Sequence, residues 1–486
     1  MKISDLEPKE VWEQFNEILK VPRPSKKEEK IIKYLLDFAK QHGLEAKQDA
    51  VGNVLIKKPA TPGFENRQTV VLQSHVDMVC EKNSDVRHDF EKDPIKAYVD
   101  GEWVKAKGTT LGADDGIGIA TQLAILASNS IAHGPLECLF TVDEETGLTG
   151  AFGLQKDFFE GKILINLDSE DEGELFIGCA GGIDTMAEFK YKKEDILSGY
   201  FAMEMQVANL KGGHSGDDIN KGLANANKIL NRFLWKAAKE YGMRLSSIDG
   251  GNLRNAIARE AKAVVLIPNT KKEEVRAEFN MFFYEIQKEY KATEPNLRMK
   301  LGTVDMPDHV IDEKTQFNLL NALYACPHGV IEMSREIPGL VETSTNLASV
   351  KMDDDKIVVS TSQRSSVESA KRDIANMVES VFNLARAKVK HGDGYPGWTP
   401  NTDSEILRIA KASYEDLFGK EPVVRAIHAG LECGLFLEKY PGLDMISFGP
   451  TLRGVHSPDE RINIKTVEIF WKHLLDVLRR IPEENK

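Results

Sequence analysis

Apolar residues near the start of the chain recur at helical spacing. Ile31, Ile32, Leu35, Leu36 and Phe38 would share one buried face, and the pattern predicts helix from about Trp12 to Gly43. The texture then changes to short apolar runs that stop at polar residues. "GNVLIKK", "TVVLQSHVD", "PLECLFTVDEETG" and "KILINLDSEDEG" read as strands. Between them, "LGADDGIGIATQLAILAS" predicts a helix, with Ile117, Ala120, Ala124 and Ala127 at helical spacing behind Asp114 and Asp115. Acids suit a helix N-terminus, so capping alone accounts for one of that pair. Strands alternating with helices predict an α/β sheet, in which ligands collect at strand ends.

The Gly-rich "GCAGGID" (Gly178 to Asp184) reads as a hinge. Beyond it come "FAMEMQVANLKGGHSGDD", strand-like and then turn-rich, the helix "NANKILNRFLWKAAKEYG", and further strands to about Lys390. "KHGDGYPGW" reads as a second linker, punctuated by Gly and Pro. "PVVRAIHAGLECGLF", "LDMISFGP" and a final amphipathic helix then resume the first texture. The expected organisation is one α/β domain, residues 1–183 and 392–486, interrupted by an α+β domain, residues 184–391.

Composition narrows the function classes. A chain of 486 residues suggests two or three domains, and 41% hydrophobic with 29% charged residues supports a sizeable core. No run of about 18 apolar residues is present, which speaks against a membrane span. The start, "MKISDLEPKEVWEQF", lacks a signal-peptide apolar region, so a cytoplasmic location is expected. A net charge of −13 disfavours nucleic acid as a partner. The five cysteines are scattered without a C-x-x-C pair, which argues against a disulfide framework and a thiolate metal site.

Any metal site must therefore come from His, Asp and Glu. His75, Asp77, Asp114, Glu144, Glu145, Asp168 and His456 each stand where an apolar run stops. On an extended strand His75 and Asp77 would share a face. Imidazole and carboxylate suit zinc. Two histidines with several carboxylates exceed the needs of one tetrahedral ion and fit a pair about 3.5–4 Å apart, bridged by a carboxylate. Asp114, ahead of a helix, suits the bridge. Asp77 suits the carboxylate that takes the second N–H of a metal-bound His75 and fixes its tautomer. Taken singly, an H-x-D, a "DEE" and a "DD" are more often a solvated edge, a loop and a cap. Their shared position at strand ends points instead to a binuclear metallohydrolase.

"SHVDMV", "GADDGIG", "DEETG", "NLDSE" and "GVHSPDE", in that order, resemble the co-catalytic zinc aminoacylase/carboxypeptidase family of metallopeptidases. "GTTLGADDGIG", "GCAGGID", "LKGGHSG", "LRNAI", "YPGW" and "HAGLECGLF" resemble its branch of bacterial aminoacyl-histidine dipeptidases, cytosolic enzymes that cleave Xaa-His peptides such as β-alanyl-histidine. The resemblance implies a zinc-peptidase-like α/β catalytic domain interrupted by an α+β lid domain. It implies two zinc ions per subunit, replaceable by manganese or cobalt. His75 and Asp168 would bind one ion, Glu145 and His456 the other, with Asp114 bridging. Glu144 would be the general base that deprotonates a metal-bridging water.

In the lid, the resemblance implies that His214 stabilises the oxyanion, in many relatives across subunits, and that Asn255 and Arg364 bind substrate. His428 is left as a pocket or structural residue. A homodimer acting on dipeptides is implied, with no nucleic-acid or membrane partner. Much of the broader family has Lys where this chain has Gly116, which leaves Asp115 open as an alternative to Asp114. The adjacent Glu144 and Glu145 leave the same one-residue ambiguity. Rival readings are an N-deacylase or tripeptidase with the same metal chemistry, and a metal-binding protein with a dead site.

Overall fold

The computed structural model describes residues 2–484. The chain divides into two compact units. The first runs to Gly178 and takes in Pro400–Ala426 and the chain from Leu431 onward. The second comprises Cys179–Thr399 and Ile427–Gly430. "GCAGGID" contains the first crossing from one unit to the other. It is extended chain, with strands Glu174–Cys179 and Gly181–Lys190 separated only by Ala180.

The first unit is built on an eight-stranded sheet. Its strands are β1 (Glu45–Gln48), β2 (Val54–Lys58), β3 (Val70–His75), β4 (Leu136–Thr141), β5 (Ile163–Asn166), β6 (Glu174–Cys179), β7 (Val423–Ile427) and β8 (Asp444–Ser447). In space they run β1-β2-β4-β3-β5-β8-β6-β7. The central β3 is parallel to both neighbours, with His75 opposite Thr141 of β4 and Gln73 opposite Asn166 of β5. All six residues of β3 are buried, as a strand covered on both faces requires. Three parallel strands therefore end on one sheet edge, and each runs on into acidic residues.

One expectation needs correction. The stretch from Trp12 to Gly43 is not one helix but two, Lys9–Ile18 and Glu29–Gln41. Pro22 and Pro24 interrupt it, since proline removes a donor and disfavours helical geometry in the residue before it. The helix after the Asp pair is buried from Asp115 to Leu126, so it lacks the single apolar stripe of a surface helix.

The second unit is α+β, with a nine-stranded sheet whose pairings are antiparallel. The long pair Val341–Met352 and Lys356–Ser365 lies within it. The helix Ala226–Tyr241 packs Ile229, Leu230, Phe233 and Leu234 into its core. The Asn225 side chain accepts N–H bonds from Asn227 and Lys228, and Gly242, at φ 67°, ends the helix. Among the described residues no helix is long and apolar enough to cross a membrane.

Three imidazoles, two buried and one half-buried, make stability depend on pH. Burial pushes His328, His428 and His473 down to about 4. Between the ordinary value of about 6.5 and about 4 the unfolded chain binds the extra protons, so stability falls as pH falls through that window. Each imidazole contributes about 1.4 kcal/mol per pH unit there and nothing above it. His473 Nε2 lies 2.8 Å from the Ala410 carbonyl. In His473→Gln, which keeps a donor for that carbonyl, the stability lost by metal-free protein between pH 7 and pH 5 should shrink by about 2 kcal/mol. Urea denaturation at the two pH values measures it, and an unchanged loss excludes His473 as a contributor.

Candidate metal centre

Strand β3 ends at His75, and Asp77 lies two residues past it rather than on the strand. The pair still meets, with Asp77 Oδ1 3.3 Å from His75 Nδ1. Asp77 also accepts the backbone N–H of Glu144 on Oδ1 at 3.0 Å, and that of Glu145 on Oδ2 at 3.3 Å. The Ser25 hydroxyl donates to Oδ2 at 2.7 Å. One carboxylate thus orients the imidazole and holds both glutamates. Hydrogen bonds and charge from His75 keep Asp77 at about 2 against the opposing effect of burial.

Asp114 stands between two imidazoles. Its Oδ1 lies 3.0 Å from His75 Nε2, and its Oδ2 lies 3.1 Å from His456 Nε2. Glu145 Oε2 lies 3.0 Å from the same His456 nitrogen, and Asp168 Oδ1 lies 3.5 Å from His75 Nε2. Asp115 turns the other way, where its Oδ1 accepts the Gly118 N–H at 3.1 Å at the start of the helix. His456 takes a left-handed backbone, φ 60°, as does Asp143 at φ 49° just before the glutamates. Left-handed non-glycine residues are costly and cluster where a side chain must be aimed.

The electrostatics are those of crowded anions. Burial works against charge on Asp114, but hydrogen bonds from His456 and His75 hold its pKa below the usual carboxylate range. Hydrogen bonds to Asp114 and Glu145 push His456 up to about 11. Burial pushes Glu144 and Asp115 up to about 8, and raises Asp168 well above its ordinary value. Two histidines cannot balance this many buried carboxyls, and a buried anion without a partner is costly.

A cation fits. His75, Asp114 and Glu145 each offer a ligand atom, all within 4.8 Å of one another. Glu145 Oε1 is buried with no hydrogen-bond partner. A second acidic group, Glu28, Asp77 and Asp143, is already engaged. Lys26 and Asp143 donate N–H bonds to Glu28, and the Thr146 and Thr149 hydroxyls donate to Asp143.

The remaining candidates lie in the second unit and are linked there through Ser215. His214 pairs in a β-bridge with Ala256, and the Ser215 N–H donates to the Asn255 carbonyl at 2.8 Å. Arg364 is buried; its Nε donates to Ser215 Oγ at 3.4 Å and its Nη1 to the Tyr395 hydroxyl at 2.9 Å. His428 Nε2 meets Ser344 Oγ at 2.7 Å.

Sequence reasoning missed two carboxyls beside the centre, Glu432 buried and Glu170 half-buried. Glu170 and Glu432 are each pushed up to about 7 by burial. Glu432 accepts from Gln73 at 2.7 Å and Thr141 at 2.8 Å, while its Oε1 has no partner. Glu170 hides in the hydrophilic run "SEDE", and the neighbouring His428 draws attention from Glu432.

Residues 71–480 match the model of peptidase family M20/M25/M40. The chain belongs to this family. The peptidase is 45% identical over 481 residues to the cytosol non-specific dipeptidase of Escherichia coli, covering 99% of both chains. It superposes on the crystal structure of aminoacylhistidine dipeptidase from Vibrio alginolyticus with a TM-score of 0.94 and 46% identity, covering 100% of this chain and 99% of that one. Human carnosine dipeptidase 1 shares the fold at 14% identity, with a TM-score of 0.51 and 98% of each chain covered. The chain is thus a peptide hydrolase of a metal-dependent family, and the strand-end cluster supplies donors for a metal.

Proposed function

We propose that this peptidase is a two-zinc dipeptidase that accepts Xaa-His peptides such as β-alanyl-histidine. The observation that carries the reading is the placing of Asp114, whose two oxygens face different imidazoles. His75 and Asp168 would hold one ion, Glu145 and His456 the other, and Asp114 both. Imidazole and carboxylate donors without thiolate suit zinc, with manganese or cobalt as substitutes. Bound ions would supply Lewis acidity toward the scissile carbonyl and acidify water.

Glu144 is a carboxyl beside the centre that this ligand set leaves free, and the resemblance to the family singles it out to carry the proton. It takes the proton from the attacking water and returns it to the departing amine nitrogen. Asp77 keeps it in place through its backbone N–H. In the second unit, which we read as a lid, Arg364 would grip the substrate carboxylate with its planar fork. Asn255 would bind substrate and His214 would stabilise the oxyanion. Homodimeric assembly and a cytoplasmic location complete the reading.

A second reading is broad dipeptidase activity without preference for histidine. It is favoured by the name of the E. coli relative, a non-specific dipeptidase. Metal-stripped protein should be assayed with and without added zinc on β-alanyl-histidine, glycyl-histidine, glycyl-leucine and an N-acetyl amino acid. Zinc-dependent cleavage of the histidine peptides above glycyl-leucine is expected. Equal rates on all three peptides would select the broad reading, cleavage of the acetylated compound alone would mean a deacylase, and no cleavage with any metal a dead site.

A further inference from the structure

Glu460 closes the "HSPDE" segment four residues after His456 and is 2% exposed. Its carboxylate receives four consecutive backbone N–H groups from the loop that ends in Asp114. Oε2 accepts from Leu111 at 2.7 Å and Gly112 at 3.0 Å. Oε1 accepts from Ala113 at 2.7 Å and Asp114 at 3.3 Å. Successive N–H groups curled around an anion form a nest, and Gly112, at φ 68°, supplies the left-handed residue that the curl needs.

Arg23 holds the same loop from the other side. Its buried guanidinium donates from Nη1 to the carbonyls of Val76 at 3.0 Å and Asp77 at 2.7 Å, and from Nη2 to the carbonyl of Gly112. Gly112 is therefore gripped at both ends of its backbone, N–H by Glu460 and C=O by Arg23. A Cβ on Gly112 would lie 2.7 Å from Arg23 Nη2, and one on Gly116 would lie 2.6 Å from it. That contact gives a physical reason for glycine at both positions. The cation of Arg23 already fills the space.

We propose that Glu460 and Arg23 are positioning residues of the metal centre. Glu460 ties the Asp114 loop to the segment that bears His456, and Arg23 ties the same loop to the end of β3 that bears His75. Together they place the two oxygens of Asp114 against both imidazoles before any ion arrives. The inference rests on the two-metal reading above. Its consequence is that these residues set metal affinity, although neither touches the ion.

The test is zinc affinity by chelator competition, with the absorption spectrum of cobalt-loaded protein as a second readout. Glu460→Gln keeps the size of the side chain but turns an NH2 group toward two N–H donors. It should weaken zinc binding about 10–100-fold, the usual effect of losing a partner that orients ligands, and shift the cobalt bands. Glu460→Asp, which keeps both oxygens, should recover part of that affinity. Gly112→Ala leaves both charges in place and displaces Arg23, so it should weaken zinc binding even where Glu460→Gln fails to fold. Wild-type affinity and an unchanged cobalt spectrum in the variants overturn the proposal, whatever happens to the melting temperature. Wild-type protein that binds no zinc overturns the two-metal reading itself, and the proposal with it.

Discussion

Glu144→Gln should keep its full metal content and lose about a hundred- to ten-thousand-fold in kcat, the contribution of a positioned general base. The substitution is nearly isosteric and leaves the Glu144 N–H on Asp77 Oδ1, so the glutamate loop should hold its shape. What disappears is the group that holds a proton between two steps. The environment suits that task, because burial pushes Glu144 up to about 8, His75 opposes the rise, and Glu432 and Glu145 add to it. A carboxyl poised near neutrality can both take and return a proton, which an ordinary exposed glutamate does poorly. Glu144→Asp should lie between the two, since it can carry the proton but must reach farther. Metal analysis alongside steady-state kinetics on glycyl-histidine checks this. A fully loaded Glu144→Gln within tenfold of wild type would assign the proton to another group, and Glu432 would be the first to examine.

The sheet edge was legible in the sequence because burial on both faces makes central strands largely apolar. His75, Glu144, Glu145 and Asp168 stand where those runs stop, although Glu137 lies inside β4 and marks no end. Periodicity failed where local chemistry overrode it. The spacing through Trp12–Gly43 fits one helix, but two prolines divide it. The choice between Asp114 and Asp115 needs dihedral angles, because adjacent acids diverge only once the backbone leaves helical geometry. Long-range polar contacts were out of reach altogether. Glu460 meets its N–H partners 346 to 349 residues away, and nothing local marks it as more than a solvated acid. The return of Ile427–Gly430 to the second unit is equally silent, since four residues carry no periodicity.

Asp114→Asn should lose about a thousandfold or more in kcat/KM, and unlike Glu144→Gln it should lose metal as well. Asparagine keeps the volume but offers one neutral acceptor and an NH2 group. With its oxygen toward His75 at the 3.0 Å position, the NH2 faces His456 and cannot ligate a cation. One ion then keeps a weakened ligand and the other loses its shared anion. Several kcal/mol of Lewis-acid stabilisation go with it, at 1.36 kcal/mol per decade of rate. The metal-free protein should suffer less, because the contacts of Asp114 to His75 and His456 that it loses are offset by the relief of repulsion on Asp115, Asp168 and Glu170. The signature is therefore a difference between states. Wild type should gain stability when zinc is added, by an amount set by zinc concentration over Kd, and Asp114→Asn should lose most of that gain. Thermal melts with chelator and with zinc, together with elemental analysis, separate the outcomes. A variant that holds two zinc ions and melts like loaded wild type would mean that Asp114 does not bridge.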